Sequence, residues 1–260
     1  MRLLRRNALG VYAVYAVAML SGLVVTPVVI HQLGTEGFGI WSFIGSITIY
    51  LSVLDFGVGP TIIRYGAEAR GRKAPEDLNA VASVGLALYA AIGLVTIPIG
   101  VVLAFLVPIL IDAPDDLVDA ARVATLLTVL GLAVRFPLGL FGNLLVAQQR
   151  WDVQNLANFV STLAYMIAVA VVLTSGGGLV ALALIALLTT LLRLLLPLLW
   201  LPRELPGLHL ARRYVTRARI RELAAFSGSN FLVHVANKIV FSTDVVVVGI
   251  ALGSVAAGVY

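Results

Sequence analysis

Cysteine is absent from the 260 residues, and charge is scarce, with 18 Lys and Arg and 13 Asp and Glu making up 12% of the chain. Soluble domains carry about twice that charge, at roughly 25%. Without cysteine there is neither a disulfide framework nor a thiolate metal or redox site. The three histidines, His31, His209 and His234, lie far apart, so no zinc or haem site is expected, and no cofactor. The acidic stretch from Asp112 to Asp119 lacks the ligand spacing of a calcium loop and reads as a solvated turn leading into a helix. No glycine-rich loop follows a strand, which leaves no nucleotide cradle and no ATP-driven step on this chain. The outer loops are only a few residues long and the largest inner one is basic without paired carboxylates, so the chain is not expected to be an enzyme.

What the chain has instead is hydrophobicity: 60% apolar residues and a mean hydropathy of +1.03. Apolar stretches of about 20 residues, enough to cross a hydrocarbon core, occur seven times. They run over 9–30, 38–63, 81–111, 120–147, 153–174, 179–201 and 223–252. Short polar breaks separate them, notably Gly34 to Gly37, Asp112 to Asp116 and Ser175 to Gly178, which read as tight turns between helices. No stretch alternates apolar and polar residues as a membrane β-barrel strand must. The expected fold is all-α, a polytopic bundle of about seven transmembrane helices.

Fourteen of the 18 cations fall at the N-terminus or in the even-numbered loops: Arg2, Arg5, Arg6, then Arg64, Arg70, Arg72, Lys73, then Arg150, then Arg203 and five arginines from Arg212 to Arg221. The opposite loops carry Glu36, Asp112, Asp115, Asp116 and Asp119 against a single Arg122. Positive residues remain cytoplasmic, which puts the N-terminus inside. The net charge of +5 therefore serves topology, and no nucleic-acid partner is expected. The basic stretch over 211–221 is read as a solvated connector, with anionic headgroup binding as the alternative.

An internal repeat divides the chain. Leu33-Gly34-Thr35-Glu36-Gly37-Phe38-Gly39-Ile40-Trp41 is matched by Leu252-Gly253-Ser254-Val255-Ala256-Ala257-Gly258-Val259-Tyr260. Each ends an inside-to-outside span with six spans between the copies, so the two units are parallel, as in transporters built from two similar halves. The expected organisation is a six-helix lobe over 1–201, a basic cytoplasmic linker over 202–222, and the start of a second lobe over 223–260.

The run from Gln32 to Arg72, QLGTEGFGIWSFIGSITIYLSVLDFGVGPTIIRYGAEARGR, resembles the first hairpin of the polysaccharide transporters, which include the O-antigen flippases. These belong to the exporter superfamily that also holds multidrug and toxin extruders and lipid II flippases. The stretch from Phe226 to Tyr260 is similar to the start of that family's second half. The resemblance implies a bacterial cytoplasmic-membrane protein of twelve to fourteen spans, of which this chain is expected to be a part. It implies two lobes that rock about a central cavity and flip a lipid-linked oligosaccharide, of the undecaprenyl-pyrophosphate type, during O-antigen or exopolysaccharide synthesis. Its expected partners are that substrate, membrane lipids, a coupling H⁺ or Na⁺ ion, and other polysaccharide-assembly proteins. The alternative within the superfamily is a multidrug exporter; a membrane polymerase or ligase, or a structural anchor, fits less well.

Such a cavity needs cations for the pyrophosphate, and candidates are present. In span seven, Asn230, His234, Asn237, Lys238 and Asp244 share an arc of about 120° at 100° per residue. A charge at mid-bilayer costs about 2.5–3.5 kcal/mol on insertion scales, so that arc is read as lining a hydrated cavity; mutual pairing between packed helices is the alternative. Arg135, near the middle of span four beside Pro137 and two glycines, is the leading candidate for anion contact, against an internal salt bridge to Asp55 or Asp244. Arg193 in span six is a further cavity candidate, although snorkelling to inner headgroups is the favoured reading. Asp55, with Gly57, Gly59 and Pro60 loosening the helix after it, and Asp244 are candidates for ion coupling.

Overall fold

The computed structural model describes residues 2–225, apart from the side chains of 2–9, 11 and 13. Span seven, the second copy of the repeat and the candidates Asn230, His234, Asn237, Lys238 and Asp244 lie outside the described residues.

Among the described residues all regular structure is helical. In lipid every backbone N–H and C=O must be satisfied within its own segment, and helices do this. The long elements are α1 (Arg2–Leu51), α2 (Val58–Gly71), α3 (Pro75–Leu110), α4 (Val118–Ala147), α5 (Trp151–Thr174) and α6 (Leu179–Leu195). Among the described residues, five segments are long and apolar enough to cross a membrane. The first, Val14–Asp55, has 42 residues and would reach about 60 Å as one rod, twice a hydrocarbon core. It is broken at Gly34, whose φ of 72° lies where glycine is favoured. Val25, Val28 and Leu33 before the break and Phe38 and Trp41 after it pack on one cluster with Val169, Leu173 and Leu182, so the two arms supply two crossings.

Span two is not the continuous helix over 38–63 expected from hydropathy. The arm ends at Leu51, a 3₁₀ turn covers Ser52–Asp55, and Phe56 and Gly57 are both left-handed (φ 47° and 75°) before α2 begins. Hydropathy averaged over about 20 residues runs through this interruption, because the apolar stretches on both sides outweigh Ser52, Asp55 and Gly57.

Helices α3 and α4 pack through a seam of small residues. A Cβ added to Gly93 would lie 2.6 Å from the Ala133 carbonyl oxygen, and one added to Gly100 would lie 2.3 Å from Val129 Cγ1. Pro137 has no N–H to offer the carbonyl four residues back, which is that of Ala133. The freed oxygen is therefore met by the bare backbone of Gly93, a close approach that only glycine permits. On the other side of α3, Leu94, Ile97, Val101, Phe105 and Ile109 are exposed at helical spacing, the face expected to meet acyl chains.

The segment after α6 is strapped onto the lobe. Its helical path continues through a 3₁₀ turn (Leu196–Trp200) and α7 (Leu201–Glu204). Arg150 then binds Glu204 and, at 3.0 Å, Asp152. The Asp152 hydrogen bond is the main reason the Arg150 guanidinium is held above its ordinary pKa. Leu205 is buried beside Leu140 and Leu144. The backbone N–H groups of His209 and Ala211 donate to Asn79 Oδ1 (2.9 Å) and Ser83 Oγ (3.1 Å), both buried on α3. Arg219 reaches Asp77 at 3.6 Å. Most of the expected linker over 202–222 thus lies against the first lobe.

Candidate functional site

The break in span two opens the wall of a cavity of about 520 Å³ between α2, α4, α5 and α6. Its chemistry begins with Asp55, the last residue of the 3₁₀ turn. Tyr89 from α3, buried, donates its hydroxyl to Asp55 Oδ1 at 2.7 Å, and the Gly59 N–H donates to Oδ2 at 3.4 Å. Asn143 from α4 donates its amide to the Tyr89 oxygen at 3.3 Å. A Cβ on Gly59 would lie 3.0 Å from that oxygen and 3.2 Å from the Asn143 amide nitrogen, so the network closes because residue 59 is glycine. It pins α3, α4 and the broken helix to one another.

Arg135 and Arg193 both line this cavity. Arg135 sits 17 residues from the start of α4 and 12 from its end, and its side chain is exposed. Among the described residues neither guanidinium makes an ion pair or a hydrogen bond, and Arg135 lies close enough for its charge to act on Arg193. Asp55 is therefore not the partner of Arg135; its oxygens are taken by Tyr89 and Gly59. Arg193, for which snorkelling is the reading favoured from sequence, lines the cavity. The helical path runs on through Glu204, 11 residues beyond it, and the side chain is turned into the cavity. The two arginines also line a second, smaller chamber of about 100 Å³ with Thr48, Thr128, Gly131 and Thr190. With Leu132, they are common to the walls of both spaces.

Three residues that charge and hydropathy do not point to complete the large cavity: Asn143, Gln154 and Asn158. Gln154 and Asn158 stand at i and i+4 on α5, one face of the helix, and neither side-chain amide has a hydrogen-bond partner among the described residues. That spacing is the sequence signal that would have found them. The described residues contain no cluster of three or more metal-ligating side chains.

A family model described as Polysaccharide biosynthesis protein matches residues 4–260. The chain belongs to that family. No curated protein matches it closely enough to serve as a relative. Solved structures similar to this polysaccharide biosynthesis protein are transporters of the MOP superfamily. An inward-facing multidrug resistance MATE family transporter superposes with a TM-score of 0.72 at 16% identity, covering 95% of this chain and 59% of that one. An outward-facing MATE transporter does so with a TM-score of 0.69 at 16% identity, covering 98% and 63%. A MOP superfamily transporter from Pyrococcus furiosus, described as having a binding pocket of reverse polarity that suggests a different function, gives 0.62 at 15% identity, covering 98% and 62%. These likenesses show the fold: a multi-pass, all-helical membrane protein of MATE-like architecture. The chain spans about three fifths of the length of the solved transporters it matches.

Proposed function

We propose that the chain forms the first lobe of a transporter that carries a lipid-linked, anionic oligosaccharide across the cytoplasmic membrane by alternating access, with its N-terminus inside. One observation carries this reading: two guanidiniums at mid-span, neither in an ion pair among the described residues, stand in the wall of one cavity whose lining includes a single carboxylate, Asp55. Leaving arginine unpaired at bilayer depth is costly unless the site is hydrated or meets an anion, and guanidinium forks onto phosphate oxygens. The likeness to both an inward-facing and an outward-facing transporter supports a lobe that moves as one body. Asp55, held by Tyr89 and Gly59, is the candidate for the coupling ion within this lobe.

A multidrug exporter is the second reading, favoured by the MATE neighbours. It asks the cavity to take a cation. At an effective dielectric of about 20, each guanidinium about 5 Å from such a cargo would oppose it by roughly 3 kcal/mol. The Asp55 carboxylate in the same wall offsets one of the two charges, and the remaining balance of cationic groups favours the anionic reading.

The test is transport by the protein in proteoliposomes. Labelled undecaprenyl-diphosphate saccharides should cross, and Arg135→Gln with Arg193→Gln should abolish crossing while membrane insertion is retained. Export of cationic dyes with no movement of the lipid-linked sugars would reverse the choice.

A further inference from the structure

The amides of the large cavity have no place in an account built on charge. Gln154 and Asn158 face the same space as the arginines, are uncharged, and have no described hydrogen-bond partner. A polar group at membrane depth is costly to leave unsatisfied, so it meets water or cargo. A carboxamide both donates and accepts, which matches a hydroxyl or acetamido group and gives no preference for a phosphate over water.

Their depth sets them apart from Arg135. Helix α4 ends at Ala147 and α5 begins at Trp151, a three-residue connection that sets the two ends level. At 1.5 Å per residue, the Cα of Arg135 lies about 18 Å from that level, Asn158 about 10 Å and Gln154 about 5 Å. The amides therefore stand about 8 and 13 Å from Arg135 along the helices, and Arg193, counted back in the same way from the outer end of α6, falls between Arg135 and Asn158. That separation is on the scale of successive sugar rings strung from a diphosphate.

Their position is also supported by packing. A Cβ on Gly142 would lie 2.7 Å from Gln154 Oε1, so the glycine leaves the space that the amide occupies.

We propose that Gln154 and Asn158 are specificity residues that read the first sugars of the cargo, while Arg135 and Arg193 hold its diphosphate. The inference rests on the lipid-linked reading of the cavity and assigns it an internal division of labour. It predicts that affinity for the sugar and affinity for the diphosphate are separable by mutation.

The experiment measures binding of two probes to the purified protein in detergent. One is undecaprenyl diphosphate; the other is a set of undecaprenyl diphosphates carrying hexose or N-acetylhexosamine disaccharides. The wild type should bind at least one glycosylated probe more tightly than the bare lipid. Gln154→Leu with Asn158→Leu should weaken that probe by roughly ten-fold and leave the bare diphosphate unchanged, since each neutral hydrogen bond contributes modestly. Gly142→Ala, which crowds the Gln154 amide without removing it, should give a smaller loss with the same selectivity and controls for misfolding. Arg135→Gln with Arg193→Gln should weaken both probes. Equal loss of both probes in the amide variants, or no loss of either, overturns the assignment while leaving the anion reading intact. So does a wild type that binds bare and glycosylated lipids equally. Failure of the wild type to bind any diphosphate lipid overturns the lipid-linked reading, and this inference with it.

Discussion

Replacing Tyr89 with phenylalanine takes one oxygen out of the junction where span two breaks, and the cost can be worked from its two contacts. The hydroxyl donates to Asp55 Oδ1 at 2.7 Å and accepts from Asn143 at 3.3 Å. A hydrogen bond to a charged group contributes about 1.5–3 kcal/mol, and a long neutral one about 0.5 kcal/mol. Asp55 is only half-buried and keeps its Gly59 contact, so cavity solvent can replace part of what is lost. That brings the expected destabilisation to about 1–2 kcal/mol. The ring itself stays put, because Phe136 packs against it with centroids 6.0 Å apart. A double-mutant cycle isolates the pair: Tyr89→Phe, Asp55→Ala and the combination, unfolded by denaturant in micelles and followed by fluorescence of Trp41, Trp151 and Trp200. The two single changes should overlap, leaving a coupling of about 1 kcal/mol or more. Strict additivity would mean that Asp55 and Tyr89 do not depend on each other, and the pinned junction would be refuted.

The seam between α3 and α4 should be intolerant of a single methyl group: Gly93→Ala drives a Cβ onto the Ala133 carbonyl and should cost about 1–3 kcal/mol, read in the same unfolding assay. Gly45, whose added Cβ meets nothing within 4 Å, is the control, and Gly45→Ala should be neutral or stabilising. Asn79→Ala should release the strap at His209 at a cost of about 1–2 kcal/mol, seen as faster trypsin cleavage among Arg212, Arg213 and Arg217. An unchanged cleavage rate would show that Leu205 and the Arg150–Glu204 pair hold the strap without it. Single cysteines at Arg135 and Gly139, in a chain with no native thiol, should react with aqueous maleimide, whereas one at Ile97 should be sealed by lipid.

The helical architecture was legible because it is set by averages. Expected spans of 120–147 and 153–174 correspond to α4 over 118–147 and α5 over 151–174, since hydropathy over 20 residues survives any local detail. Details that depend on a few atoms were not legible. Gly57, Gly59 and Pro60 mark a loosened helix beyond Asp55 in the sequence, but the form of the interruption, with Phe56 and Gly57 left-handed and the carboxylate capping Gly59, does not follow from them. Charge announces itself in an apolar stretch, so Arg135, Arg193 and Asp55 could be singled out. The partners that decide their roles could not, because Tyr89 and Asn143 are 34 and 54 residues from the atoms they bind.

Neutral amides fall between these cases. Gln154 and Asn158 are too few to interrupt span five and too uncharged to attract notice, yet their spacing of four residues puts both on one face. The arc test that singles out the polar residues of span seven picks this pair as well. It yields a face, however, and not the space in front of it. Only the fold shows that this face meets Arg135 on α4 and Arg193 on α6 across one cavity, and that Gly142 stands back to let Gln154 in. A membrane cavity is therefore written in two registers. In the proposed reading, the cations that stand out in the sequence would hold the anion, and the amides, whose shared face the sequence gives but whose cavity only the fold shows, would meet what is attached to it.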